Sequence, residues 1–212
     1  MKYVITASLV ILTLNASIAQ TKLGLKVNTS LIAYRIDQKS NSMDELGAGP
    51  KPLVLSATLF ADIPLSKNYF FSTGIGYISK RVNLEVMQEE GLEVQDKSYN
   101  LQYVQLPATI KLYTNEIALD KKLYFQFGPL FEINIHSKEK DGQIDVMSKS
   151  QFFDISLLFA TGIQIQVAPQ TAILLGINYT RGLVNIVSKP ALPQMDPVIK
   201  NDLYGIDVAI KF

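Results

Sequence analysis

The chain has 212 residues, no cysteine and one histidine, which excludes a disulfide framework and a transition-metal site built from Cys and His ligands. Its 20 Lys and Arg nearly balance its 19 Asp and Glu, so it lacks the strongly basic composition expected of a nucleic-acid-binding protein. The length suits a single domain.

The first nineteen residues have the pattern of a secretory signal peptide. A short positive region at Lys2 precedes an apolar run over residues 4–14, and residues 17–19 form the small-x-small motif that a signal peptidase requires. The apolar run is short for a membrane-spanning helix, and a polar stretch follows it. We therefore predict a signal peptide over residues 1–19, with cleavage before Gln20.

The predicted mature domain, residues 20–212, is apolar without containing a spanning helix. Hydrophobic residues make up 48% of the chain and the mean hydropathy is +0.16. After residue 19, however, no run of about 18 apolar residues occurs. Strands with one apolar and one polar face produce this combination.

Apolar and polar residues alternate with period two in eight successive segments, as expected for β-strands. The second segment, for example, sets Leu53, Leu55 and Leu59 against Ser56 and Thr58. At about nine to eleven residues, such segments can cross a bilayer as tilted strands. The predicted strands cover about residues 23–31, 53–63, 69–80, 99–113, 123–135, 153–166, 173–180 and 204–212.

The fourth segment contains a change of phase and a proline. Tyr99, Leu101 and Tyr103 are out of phase with the apolar residues that follow, and a one-residue bulge near Tyr103 would reconcile the two halves. Pro107 in this segment and Pro129 in the next cannot donate a ladder hydrogen bond. We predict strands at both, with each ring accommodated by a bulge or by a locally wet interior.

The connections alternate between long and short. Those over residues 35–51, 81–98, 136–150 and 185–202 are long, whereas those over 64–68, 114–121 and 168–170 are shorter. Short turns on one side and long loops on the other are typical of outer-membrane barrels, whose long loops lie outside the cell. We therefore predict an all-β fold: an antiparallel up-and-down transmembrane β-barrel of about eight strands, with both termini on the periplasmic side.

The positions of the charged residues indicate which face of each predicted strand contacts lipid. One face of nearly every predicted strand is aliphatic or aromatic, and the other carries groups that a soluble core would bury at high cost. We predict that these groups line a small lumen in which opposite charges pair. The predicted lumen set is Lys26, Asn28, Asp62, Lys111, Glu132, Asn134, Asp154, Gln164, Gln166, Asp207 and Lys211.

Aromatic residues gather near the predicted strand ends, where interfacial girdles are expected. The predicted girdle residues are Tyr34, Tyr69, Phe70, Tyr99, Tyr113, Tyr124, Phe152, Tyr204 and Phe212. Glycines 74 and 76 are not part of a nucleotide-binding loop and are expected to relieve crowding inside a narrow barrel.

Several ordered strings resemble the PorT-like outer-membrane β-barrel family. They are residues 23–27 (LGLKV), 101–113 (LQYVQLPATIKLY), 125–131 (FQFGPLF) and 178–186 (NYTRGLVNI), followed by a last strand ending in Lys211 and Phe212. The resemblance implies a barrel fold in the cell outer membrane, outer-membrane lipid as surroundings, and a terminal aromatic read by the outer-membrane insertion machinery. The founding member is tied to a secretion and gliding apparatus, but no residue here marks that activity.

The chain offers little for catalysis. His136 is predicted at the exit of the fifth strand, where Ser137 and Asp141 in a loop would have no fixed geometry, so we predict no catalytic, cofactor-binding or metal site. Acidic residues in the second long loop, including Glu89 and Glu93, would suit a divalent cation or a basic partner but more simply form a solvated hairpin tip.

Long polar side chains in an eight-stranded lumen leave no open pore. We therefore predict a non-enzymatic integral outer-membrane protein that acts through its extracellular loops or through envelope protein partners, without nucleic acid. Two alternatives stay open: a narrow channel or transporter for small solutes, and a soluble periplasmic lipocalin-like binding barrel.

Overall fold

The computed structural model describes residues 21–38, 45–48, 51–87, 94–141, 147–190 and 197–212, and the predicted signal peptide lies outside them. Within these ranges no helix is long and apolar enough to cross a membrane. The strands that the structure describes are β1 (Lys22–Gln38), β2 (Glu45–Ala48), β3 (Leu53–Pro64), β4 (Tyr69–Met87), β5 (Val94–Tyr113), β6 (Lys121–Asp141), β7 (Met147–Ser150), β8 (Phe153–Ala168), β9 (Thr171–Gly182), β10 (Val187–Pro190) and β11 (Pro197–Lys211).

Eight long strands close an antiparallel barrel. The sheet runs β4-β3-β1-β11-β9-β8-β6-β5, and pairing of β5 with β4 completes the circle. At the seam, Gly24 lies opposite Lys211, and the Phe212 N–H donates to the Leu23 carbonyl at 2.8 Å. Closure pairs the backbone groups of every wall strand, which hydrocarbon requires. The predicted barrel of about eight strands is confirmed.

The short strands lie outside this wall. β2 pairs with the far end of β4, from Glu45 opposite Met87 to Ala48 opposite Leu84. β7 and β10 form a separate two-stranded sheet. All three belong to connections that the sequence predicted as long loops.

The two ends of the barrel differ as predicted. The turns over residues 65–68, 114–120 and 169–170 lie at the end where β1 starts and β11 finishes, which we call the short-turn end. The opposite end, the long-loop end, carries the other connections. Several strands extend beyond their predicted limits there, so the predicted loop bounds 35–51, 81–98, 136–150 and 185–202 were wrong. The ladder continues because β4 and β5 stay paired as far as Met87 and Val94.

Side-chain direction follows the alternation. Along β3, Leu53 and Leu55 are 64% and 61% exposed on the outer wall, whereas Val54 and Asp62 are buried inside. Of the predicted lumen set, Lys26, Asn134 and Gln166 are half-buried and the other eight residues are buried. The apolar rows therefore face outward, which does not fit the alternative of a soluble lipocalin-like barrel.

The aromatic prediction was only partly right. Tyr69, Phe152 and Phe212 are exposed at or next to strand ends, as expected for girdles, whereas Tyr204 is exposed in the middle of β11, which begins earlier than predicted. The other five rings are buried or half-buried, and they pack inside the barrel because its two ends need large side chains to fill them. These five are Tyr34, Phe70, Tyr99, Tyr113 and Tyr124.

The change of phase predicted near Tyr103 is absent from β5. Tyr99, Leu101 and Tyr103 are buried inside the barrel in continuous phase with Gln105. The register does shift between Gln102 and Tyr103, but only in the pairing with β6, which carries the extra residue. Tyr99, Leu101 and Tyr103 fill the lumen rather than facing lipid. The predicted bulge in β5 is therefore not needed to explain their position.

Both prolines lie within strands whose register is kept. Pairing of β5 with β4 lapses beside Pro107, and pairing of β5 with β6 lapses beside Pro129, but neither lapse changes the pairing frame. The bulge considered for each ring is therefore not needed. Gly128, with φ of 148°, lies next to Pro129, and a Cβ there would meet the Ala108 carbonyl at 2.8 Å. Gly74 likewise lies against the backbone of Phe60, as expected for a narrow barrel.

Candidate functional site

The lumen near the short-turn end is closed by a cluster around Asp62, which we call the lower cluster. Asp62 is buried on β3 and accepts hydrogen bonds from Lys111 at 2.8 Å and 3.1 Å. It also accepts from Ser72 at 2.7 Å and Tyr113 at 3.2 Å. Lys211 approaches Asp62 to 3.8 Å and donates to the Tyr113 hydroxyl at 3.0 Å. Because donors surround it, the buried carboxylate is held rigidly across the barrel.

The middle of the lumen contains polar side chains and little free space. Asn28 donates to Asp207 at 3.0 Å, and Lys26 approaches the same carboxylate to 4.0 Å. Two cavities beside these residues measure about 40 Å³ and 20 Å³. Spaces of that size hold a few water molecules at most.

A second charged cluster, the upper cluster, lies toward the long-loop end. The Lys80 ammonium donates to Glu132 Oε2 at 2.6 Å and lies 3.8 Å from Asp154. Gln105 donates to the other oxygen of Glu132 at 2.8 Å. Asn201 accepts from Lys80 at 3.2 Å and donates to Asp154 at 3.1 Å. Four strands are thus tied together through one buried cation.

Sequence reasoning missed two residues of the upper cluster, Lys80 and Asn201, of which Lys80 carries the charge. The prediction counted three lysines against four acidic residues. With Lys80, four lumen lysines face Asp62, Glu132, Asp154 and Asp207 in the part of the chain that the structure describes. The signal was present, because Lys80 lies in phase with the inward residues of β4. It was overlooked because it sits at the predicted end of that strand.

Around the upper cluster and beyond it toward the long-loop end, an apolar plug fills the barrel mouth, packed from the buried side chains Ile32, Val54, Ile78, Val82, Tyr99, Leu101, Tyr103, Ile186, Val187, Ile199 and Leu203. Ile186 and Val187 come from the connection between β9 and β11, which therefore folds over the mouth as a cap. Asn185 holds this cap, since its side-chain oxygen accepts from the N–H groups of Val187 at 3.2 Å and Ile199 at 2.8 Å.

The cap is also tied to the neighbouring connection. The Gln151 N–H donates to the Ile186 carbonyl at 2.8 Å, and β10 pairs with β7 beside it. The Ile186 N–H donates in turn to the Ile199 carbonyl at 2.9 Å. Two of the long connections thus form one structure that closes the lumen.

The structure places His136 and Ser137, two of the residues considered for catalysis, on β6. His136 lies within β6 rather than in a loop, opposite Gln102, and is exposed. The Ser137 hydroxyl contacts Ser150 at 2.7 Å and donates to Asn134 at 3.1 Å. Among the described residues no group of three His, Cys, Asp or Glu could hold a metal ion. Glu89 and Glu93, which were predicted to lie at a solvated hairpin tip and considered as cation ligands only as an alternative, lie outside the described residues.

A family model described as "Outer membrane protein beta-barrel domain" matches residues 18–188. No curated protein matches the chain in sequence. The outer membrane protein OprG of Pseudomonas aeruginosa matches with a TM-score of 0.54 and 11% identity, over 91% of this chain and 95% of that one. Neisserial surface protein A matches with a TM-score of 0.47 and 14% identity, over 90% and 97%. The Escherichia coli outer membrane protease OmpT has a TM-score of 0.40 and 11% identity, over 91% and 95%.

Proposed function

The chain belongs to the family of the outer membrane protein beta-barrel domain, and from this premise we propose a closed, non-catalytic barrel that acts through its long-loop end or through envelope protein partners. The protein resides in the cell outer membrane. We infer that the long-loop end faces outside, as in other outer-membrane barrels. We also propose that residues 1–19 are a signal peptide that is cleaved when the protein is exported.

The observation that carries the proposal is the obstruction of the lumen at successive heights. The lower cluster around Asp62, the upper cluster around Lys80 and the apolar plug each cross the barrel. Buried, paired charges are costly to separate, so thermal motion of single side chains does not open a continuous path. If the lumen does not conduct, the protein must act through its exposed surfaces. The long-loop end offers the larger such surface, because it carries the long connections.

Planar-bilayer recording tests the closed lumen directly. The purified barrel is expected to give no steady conductance, whereas a variant with Lys111→Ala, Lys211→Ala and Ile186→Ala is expected to leak more. Steady single-channel current from the unaltered protein would contradict the proposal. It would favour the second candidate, a narrow channel for small solutes, which the two small lumen cavities beside Lys26 and Asp207 support.

The absence of enzymatic activity is part of the same proposal. Support comes from the single histidine, His136, which is exposed on the barrel wall, and from Ser137, whose hydroxyl is engaged by Asn134 and Ser150. A hydrolase would need a base, a nucleophile and an orienting group held together. Purified protein is expected to leave peptide and lipid substrates unchanged, and the His136→Ala variant to behave identically.

We also infer that the chain groups with PorT-like barrels within its family. Support comes from the sequence segments that resemble that family, especially residues 101–113, which form the C-terminal part of β5. Secretion is not proposed, because no residue marks it. Co-purification from detergent-solubilised envelopes tests for protein partners, with a variant lacking residues 186–190 as the comparison. Recovery of the barrel alone in both preparations would contradict a role through partners.

A further inference from the structure

The outer wall across β3, β1, β11, β9 and β8 contains an apolar groove of about 710 Å³ toward the long-loop end. Leu31, Ile177 and Ile206 line it and are 49%, 62% and 63% exposed. Along one side, the rings of Tyr179 and Tyr204 stack with centroids 5.0 Å apart, and Phe159 stacks on Tyr179 at 6.5 Å. Stacked aromatic rings of this kind mark the level of the membrane interface.

Basic side chains lie directly beyond the groove. Following Leu31, Tyr179 and Tyr204 toward the long-loop end, the next charged outward residues are Arg35 on β1, Arg181 on β9, and Asp202 with Lys200 on β11. We call Arg35, Arg181, Lys200 and Asp202 the rim patch. It contains three cations and one carboxylate.

The single carboxylate of the rim patch is already occupied. Arg35 holds Asp202 through Nε at 3.0 Å and Nη2 at 3.1 Å. Arg35 is also the cross-strand partner of Lys200, so two like charges lie directly opposite each other on the outer face. Neither Arg181 nor Lys200 forms an ion pair with a described residue. An anion placed between these side chains would relieve their repulsion.

Cations also occur on the opposite side of the wall, where Asn100 on β5 is the cross-strand partner of Arg81 on β4 and of Lys138 on β6. The side with the groove differs because its three cations lie on the adjacent strands β1, β11 and β9, directly beyond the groove. A general attraction to a membrane surface would not require three cations to lie directly beyond an apolar groove. The rim patch lies next to an apolar groove that is large enough for an acyl chain. The two features together point to one amphiphilic ligand.

We propose that this face binds an anionic, phosphate-bearing membrane lipid, whose acyl chain lies in the groove and whose headgroup is held by the rim patch. Arginine and lysine donors match phosphate oxygens, and each basic side chain near an anionic surface raises affinity by about fivefold. The site requires only that the barrel lies in a membrane. It is therefore independent of whether the lumen conducts.

Tryptophan quenching by brominated lipids tests the site, because the chain contains no native tryptophan. Leu31→Trp reports on the groove, and Phe131→Trp reports on the wall at β6. Each barrel is reconstituted in phosphatidylcholine vesicles containing brominated phosphatidylglycerol or brominated phosphatidylcholine. The ratio of the two quenching efficiencies cancels differences in depth. We expect this ratio at Leu31→Trp to exceed that at Phe131→Trp by about fivefold.

Charge variants then assign the effect to the rim patch. Adding Arg181→Gln and Lys200→Gln is expected to abolish the excess at Leu31→Trp. The matched pair Lys121→Gln and Lys122→Gln, at the short-turn end, is expected to preserve it. Equal ratios at the two reporters, or an excess that survives loss of Arg181 and Lys200, would overturn the proposal. Ile206→Trp serves as a second groove reporter if Leu31→Trp fails to fold.

Discussion

The Lys80 ammonium and the Glu132 carboxylate meet at 2.6 Å inside the barrel, with side chains only 2% and 0% exposed. They project from β4 and β6, which are separated in the wall by β5. The contact therefore spans the lumen rather than following the sheet. Because Asp154 lies only 3.8 Å from the same ammonium, removal of Lys80 would leave two buried carboxylates without a cation.

Replacing Lys80 by methionine is expected to destabilise the barrel by about 3–5 kcal/mol, the usual cost of breaking a buried ion pair. Chemical unfolding from lipid vesicles, followed by circular dichroism, measures the change. Adding Glu132→Gln to Lys80→Met should recover part of the loss, because one uncompensated charge disappears. Lys67→Met in the exposed turn between β3 and β4 is the control. Equal stability of the Lys80 and Lys67 variants would refute this role of the upper cluster.

A charge on the outer wall is expected to be costly at mid-height. Val208 is half exposed near the centre of the apolar band on β11. Val208→Arg should destabilise the barrel in vesicles by about 2–4 kcal/mol, as found for arginine at the bilayer midplane. Leu65→Arg, in the short turn, should cost less than about 0.5 kcal/mol because the side chain reaches water. A similar penalty at both positions would argue against a lipid-facing wall.

The cap is expected to depend on one side-chain acceptor. Asn185→Ala removes the oxygen that receives the N–H groups of Val187 and Ile199, and an unsatisfied buried donor costs about 1–3 kcal/mol. Amide exchange at these two positions should therefore accelerate by roughly tenfold or more. Asn185→Asp keeps an acceptor and should exchange nearly as slowly as the unaltered protein. The amide of Leu175, in the wall, provides the internal reference.

Orientation in the membrane can be read from cysteine labelling, since the chain has no native cysteine. Ser188→Cys, exposed beside the cap, should react with an impermeant maleimide on intact cells. Ser66→Cys, exposed in a short turn, should react only after the cells are opened. The opposite pattern would place the long-loop end inside and reverse the proposed orientation.

Period-two alternation alone was enough to predict the wall. It identified eight strands, the outward direction of residues such as Leu55, and the enclosure of Asp62 and Glu132. The reason is that a strand presents successive side chains to opposite faces, and a bilayer tolerates only one kind of residue on the outer face. The alternation of short and long connections predicted which strand ends lie together at each end of the barrel.

What fills the lumen was decided by tertiary structure. Tyr99, Leu101 and Tyr103 look like lipid-facing residues in sequence, yet they pack into the plug with Ile186 from a distant connection. Lys80 lies close to two carboxylates on other strands only after the barrel closes. Alternation distinguishes two faces but does not say which distant side chains meet across eight strands. Which side chains meet across the lumen depends on the strand register and on the diameter of the barrel. In this molecule the barrel closes only when β4 pairs with β5.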